Sequence, residues 1–105
     1  LGSDRNLRIH MVATVAVAAA GAWCDLTLTE WGFIVLSVGM VWTAELINTS
    51  IEAIVDLASP DHHELARLAK DVASAAVLLA AITAVLIGLI VFAPRIWNVY
   101  GGMGI

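Results

Sequence analysis

From Val72 to Ala93 the chain carries no charged side chain. Wound as an α-helix at 1.5 Å per residue, that run measures about 33 Å, enough to cross a hydrocarbon core of about 30 Å unaided. In lipid, a single isolated segment can satisfy its own backbone only as a helix. Two more uncharged apolar runs precede it, one from Met11 to Cys24 and one from Trp31 to Ala44. With 61% hydrophobic residues in 105 and a mean hydropathy of +0.93, the chain reads as a small membrane protein rather than a globular domain. The fold class that follows is all-α: three transmembrane helices, over about 8–26, 31–58 and 70–93, in a single domain spanning 1–105.

The first run is short alone and reaches membrane length if its helix begins near Arg5, with Arg5 and Arg8 extending their charged heads to the interface. Between the second and third spans, Pro60 stops one helix and Ser59 or Asp61 caps the next. Pro94-Arg95 is expected to close the third span and leave a loose tail ending in Tyr100 to Ile105. Leu1 stands where an initiator methionine would, so the sequence is expected to lack its natural start.

Charge assigns sides. Three passes put the N-terminal segment and the Asp61 loop together, with Arg5, Arg8, Arg67 and Lys70, while Arg95 stands opposite. The positive-inside tendency makes the first side cytoplasmic. Trp23, Trp31, Trp97 and Tyr100 fall near the other interface, as an aromatic belt does. A net charge of −4 and five scattered basic residues do not suggest nucleic acid as a partner. Cys24 is the sole cysteine, which excludes an intrachain disulfide and any multi-cysteine metal site.

The chemistry lies at the end of the second span. No Gly or Pro interrupts the chain between Val41 and Ser59, and on that helix Glu45, Asn48, Glu52 and Asp56 fall within an arc of roughly 80°. Ionisable groups in an apolar segment face a polar site or one another. The small residues Ala16, Ala18, Ala19, Ala20 and Gly21, and Ala73 to Ala76 around Ser74, allow helices to approach closely. Three thin helices do not enclose such a stripe alone, which points to a homo-oligomer with sites shared between chains.

No phosphate-binding glycine loop, dinucleotide fingerprint, zinc-protease motif or nucleophile elbow is present. Carboxylates and a lysine near an interface are instead the groups that hold a Mg²⁺-bound phosphate. Glu45 and Glu52 lie about 10 Å apart along the axis, too far to chelate one ion together. Glu52, nearer the interface, suits the metal; Glu45, deeper, suits a base acting on a lipid hydroxyl. Asp56, one turn beyond Glu52, supports it. His10, His62 and His63 read as interfacial polar residues and Trp42 as packing.

The run from Glu45 through Asn48 to Glu52, with Asp56 following, closely resembles the signature of the prokaryotic diacylglycerol kinase and undecaprenol kinase family. So do the block from His63 to Asp71 leading into Ser74 to Leu78, and the run from Arg5 to His10 before the first span. The resemblance covers nearly the whole chain. It implies a homotrimer of three-helix subunits with composite sites, using ATP and Mg²⁺ to phosphorylate a lipid hydroxyl, on diacylglycerol or undecaprenol. The implied setting is the bacterial cytoplasmic (inner) membrane, with the active site facing the cytoplasm.

By the same resemblance Glu45 matches the general base, Glu52 a metal ligand and Asn48 a polar nucleotide-site residue, while Lys70 and Asp71 match nucleotide-phosphate contacts. Asp4 stands where the family usually has a metal-binding glutamate, and is one methylene shorter. Asn6 and His63, inside the matching runs, are supporting residues, and His62 replaces a common aromatic. The family's N-terminal amphipathic helix has no counterpart in the sequence. The alternative is a non-enzymatic assembly or proton-relay subunit using the same stripe; Lys70-Asp71 argues against it, since a proton path needs no phosphate-binding lysine.

Overall fold

The computed structural model of the chain describes residues 2–59, 61 and 63–101, with side chains for residues 5–98 of these. Three helices make it up: α1 (Gly2–Cys24), α2 (Leu28–Ala58) and α3 (Glu64–Gly101). Each is long and apolar enough to cross a membrane. They run up, down and up in a rod 62 Å long and about 20 Å across, with α2 packed along α3 and α1 resting on α2. The three-helix, all-α expectation holds.

The turn between α1 and α2 is built from local chemistry. Asp25 takes a left-handed conformation at φ 54°, and the Leu26 and Asp25 amides return to the carbonyls of Gly21 and Ala22, both at 3.4 Å. That pair of bonds closes a helix C-terminus. Leu26 then folds inward and is buried with Ile34 and Val91, against which Val17, Trp31 and Phe92 pack. Gly21 makes room for the indole here, because a Cβ would sit 2.6 Å from the Trp31 ring. Thr27 opens α2 with a reciprocal cap: its hydroxyl accepts from the Glu30 amide at 3.2 Å, and Glu30 accepts from the Thr27 amide at 2.9 Å.

All three helices begin earlier than the expected spans, at Gly2, Leu28 and Glu64, and two departures stand out. α3 continues through Pro94 to Gly101 instead of stopping there. Proline forfeits one backbone bond, but membrane helices tolerate it when neighbours hold the chain. Here Val91 is buried one turn before it, and Arg95 just after it is anchored to the opposite turn. The guanidinium binds Glu30 through two nitrogens and donates to the Cys24 and Asp25 carbonyls at 2.8 and 3.1 Å. One side chain thus satisfies the open C-terminus of α1 and fastens the start of α2 to α3.

The second difference is at the start of α3. Neither Ser59 nor Asp61 caps it. The Ser59 amide closes α2 on the Val55 carbonyl at 2.8 Å, and its hydroxyl donates to the Asp61 carbonyl at 3.2 Å. His63 is the cap: its Nδ1 accepts from the Leu65 amide at 3.1 Å. Close helix approach uses fewer small residues than the composition offers. Ala73 and Ala80 are buried on α3 and Gly21 on α1, whereas Ala16, Ala18, Ala19 and Ala20 remain exposed.

Candidate active site

The buried face of α2 is unlike that of a soluble helix. Four of its side chains are buried, Ile34, Ser37, Glu45 and Asn48, and three of those are polar. Leu36, Leu46, Ile47, Ile54 and Leu57 face outward. In lipid this is the stable arrangement, since the apolar surface needs no cover and the polar atoms do.

Glu45 is 6% exposed and lies against α1, where His10 Nε2 stands 3.5 Å from Glu45 Oε2. The imidazole is in turn fixed. Its ring lies 5.8 Å from that of Trp42 at a tilted angle, and Trp42 Nε1 donates to Thr14 Oγ1 at 2.9 Å. Thr14 Oγ1 donates to the His10 carbonyl at 2.7 Å. Antiparallel packing explains the register: one turn forward along α1, from His10 to Thr14, matches one turn back along α2, from Glu45 to Trp42. His10 and Trp42, read from sequence as interfacial and packing residues, are therefore neighbours of the buried carboxylate.

One turn along α2, Asn48 is 8% exposed and its Nδ2 donates to Glu52 Oε1 at 3.1 Å. Its Oδ1 is buried without a partner among the described residues. Asn48 also borders a shallow apolar groove of 610 Å³ between α2 and α3, lined by Gly39, Met40, Thr43, Ile47 and Ala73. At the end of α2 the Asp56 carboxylate forms an ion pair with Lys70 of α3. The pair borders a polar cleft of 460 Å³ shared with Ser59, Asp61, His63 and Arg67.

The structure therefore joins Glu45, Asn48, Glu52, Asp56 and Lys70 in one ladder from the bundle interior to its polar end. His63 lies beside it in the cleft with its Nδ1 engaged as a cap. Asp71 and Asn6 are exposed and make no side-chain bond to the ladder among the described residues. The side chain of Asp4 and residue His62 lie outside the described residues. Arg67, used above only to orient the chain, lines the cleft as a second cation. Among the described residues no three metal-ligating groups converge.

This geometry has relatives. The family model for prokaryotic diacylglycerol kinase matches residues 1–92. An undecaprenol kinase of Bacillus subtilis is 40% identical over 94 residues, covering 90% of this chain and 76% of that protein. A diacylglycerol kinase of Synechocystis is 44% identical over 87 residues, covering 82% of this chain and 50% of that protein. The diacylglycerol kinase of Escherichia coli K12 is 36% identical over 99 residues, covering 94% of this chain and 78% of that protein. Fold and matches together define a membrane-helical lipid kinase. The chain belongs to the prokaryotic diacylglycerol kinase family. That membership sets aside the non-enzymatic reading of the acidic stripe.

Proposed function

We propose that the chain transfers the γ-phosphoryl group of ATP to the hydroxyl of a membrane lipid, with Mg²⁺, at the cytoplasmic face of the inner membrane. The observation that carries this reading is the ladder itself: a carboxylate buried at Glu45 and a cation, Lys70, held at the far end of the same helix face. A kinase for lipids needs its base within reach of an apolar substrate and its phosphate-binding charge in water, and this face spans both.

Glu45 takes the hydroxyl proton as the lipid oxygen bonds to the γ-phosphorus and the bond to the ADP oxygen breaks. Asn48, with its Nδ2 on Glu52 and its Oδ1 open, serves as a polar residue of the nucleotide site. Lys70 and Arg67 bind phosphate oxygens in the polar cleft, Lys70 exchanging Asp56 for the nucleotide. Asp71 adds a polar contact from the exposed side of α3. Mg²⁺ keeps several waters and takes one or two carboxylates plus substrate phosphates, so Glu52 would hold it, with Asp4 the second ligand that the resemblance implies. The bound ion would neutralise charge on the β- and γ-phosphates.

We also infer a homotrimer. Gly21 is the one described α1 residue that is buried, and the groove beside Asn48 is open on the surface of the subunit, where a neighbouring chain would cover it. The acceptor is a hydroxyl on a long apolar chain, with diacylglycerol and undecaprenol as its two forms. Full-length protein in mixed micelles, supplied with labelled ATP and each lipid in turn, tests the reading. Label entering one lipid in a Mg²⁺-dependent manner supports it and names the substrate. No label in either lipid would overturn it.

A further inference from the structure

We propose that His10 is a positioning residue for the Glu45 carboxylate, held in place by a Thr14–Trp42 brace. The inference rests on the reading of Glu45 as the base that takes the lipid proton.

Five observations combine. The His10 side chain is 19% exposed and that of Glu45 8%, so the pair is largely withdrawn from water. His10 Nε2 stands 3.5 Å from Glu45 Oε2, and Trp42 backs the imidazole at 5.8 Å. Trp42 is fixed by its N–H on Thr14 Oγ1 at 2.9 Å, and Thr14 donates to the backbone carbonyl of His10 itself at 2.7 Å. The loop closes on the residue where it begins. Ring, indole and hydroxyl thus hold one another in register across α1 and α2.

The consequence for the reaction is orientational. A glutamate on a membrane helix has three side-chain torsions, and a base works only when its oxygen reaches the proton it removes. A proton on Nε2 would hold Oε2 and leave the other oxygen, Oε1, for the lipid hydroxyl. The 3.5 Å separation is long for a hydrogen bond, as catalytic contacts often are before substrate binds and tightens them. The proton accepted by Oε1 returns to water after transfer. The role of His10 is to hold the carboxylate in place.

The test measures kcat and KM for ATP in detergent micelles, alongside thermal stability. His10→Ala is expected to lower kcat on the order of tenfold to a hundredfold, the scale of a misplaced reacting group. KM for ATP should stay within about twofold, because His10 does not touch the nucleotide cleft. His10→Gln, whose amide N–H reaches about as far as Nε2, should recover most of the rate. His10→Met fills the space without a donor and serves where the alanine variant does not assemble. Trp42→Phe and Thr14→Val each loosen the brace and should lower kcat about threefold to tenfold.

A packing role is separated by coupling. In a Glu45→Asp background, whose shorter side chain already loses the contact, His10→Met should reduce kcat less than about twofold further. Wild-type kcat in His10→Met, or an equal loss in both backgrounds, would overturn the proposal. Glu45→Gln measured in parallel isolates the reading beneath it. Full activity there removes Glu45 as base, whereas loss there with none in His10→Met removes only the positioning role.

Discussion

Lys70 of α3 and Asp56 of α2 form an ion pair across the mouth of the polar cleft, so the charge proposed to bind phosphate is held at its post by a carboxylate. Both side chains are substantially exposed, at 38% and 65%, and such pairs are weak and readily exchanged. In the proposed reaction a tetra-anionic nucleotide would compete for Lys70 with little to displace. Lys70→Met should therefore raise KM for ATP at least about tenfold with little loss of fold. Asp56→Asn should leave that KM near the wild-type value. Initial rates at varied ATP distinguish the two, and an unchanged KM in Lys70→Met would place phosphate recognition elsewhere.

Metal demand should respond to Glu52. Its Oε1 already accepts from Asn48, and Glu52→Gln keeps size and polarity while removing the charge proposed to attract Mg²⁺. The Mg²⁺ concentration for half-maximal rate at saturating ATP should rise steeply, by about tenfold or more. Asp4→Glu, restoring a methylene, should shift it downward. Superimposable Mg²⁺ curves for wild type and Glu52→Gln would make that carboxylate structural.

The α1–α2 contact should be sensitive to one methyl group. Gly21→Ala places a Cβ 2.6 Å from the Trp31 ring, where the indole must move or the helices must part. Overpacking of this kind costs about 1–3 kcal/mol. A thermal melt in detergent reads it, and a midpoint equal to wild type would mean that Trp31 has room to rotate away.

How far the sequence disclosed this site depends on where each signal lies in the chain. Glu45, Asn48, Glu52 and Asp56 were legible because polar residues at helical spacing inside an apolar run must face a polar site or one another. Lys70 was legible as the charge that opens the third span. The Glu30–Arg95 contact was not, because its partners are 65 positions apart and nothing local marks the pair. His10 was missed for the same reason: a lone histidine before an apolar run shows no partner until the helices are packed in register. The Thr27–Glu30 cap was in plain sight, a Thr followed three residues later by Glu, yet the expected second span begins only at 31. Pro94 misled because its local effect is to stop helices, while the anchoring of Arg95 is tertiary.

That anchoring supplies a further prediction. Arg95 joins the carbonyls of Cys24 and Asp25 to the Glu30 carboxylate with a planar fork that lysine does not reproduce. Arg95→Lys and Arg95→Met should both lower the thermal midpoint, and kcat at low temperature should be unaffected because the contact is at the opposite end from the polar cleft. An Arg95→Lys variant as stable as wild type would reduce the contact to simple charge pairing.

The most direct measurement is turnover and nucleotide affinity of Glu45→Gln in the same preparation. The amide fills the volume of the carboxylate and retains polar contact with His10, but it accepts no proton from a lipid hydroxyl. The account predicts that kcat falls about a hundredfold or more while the ATP dissociation constant stays within about twofold. Turnover near wild type would contradict it, for then the buried carboxylate of α2 would not be the base around which the ladder is arranged.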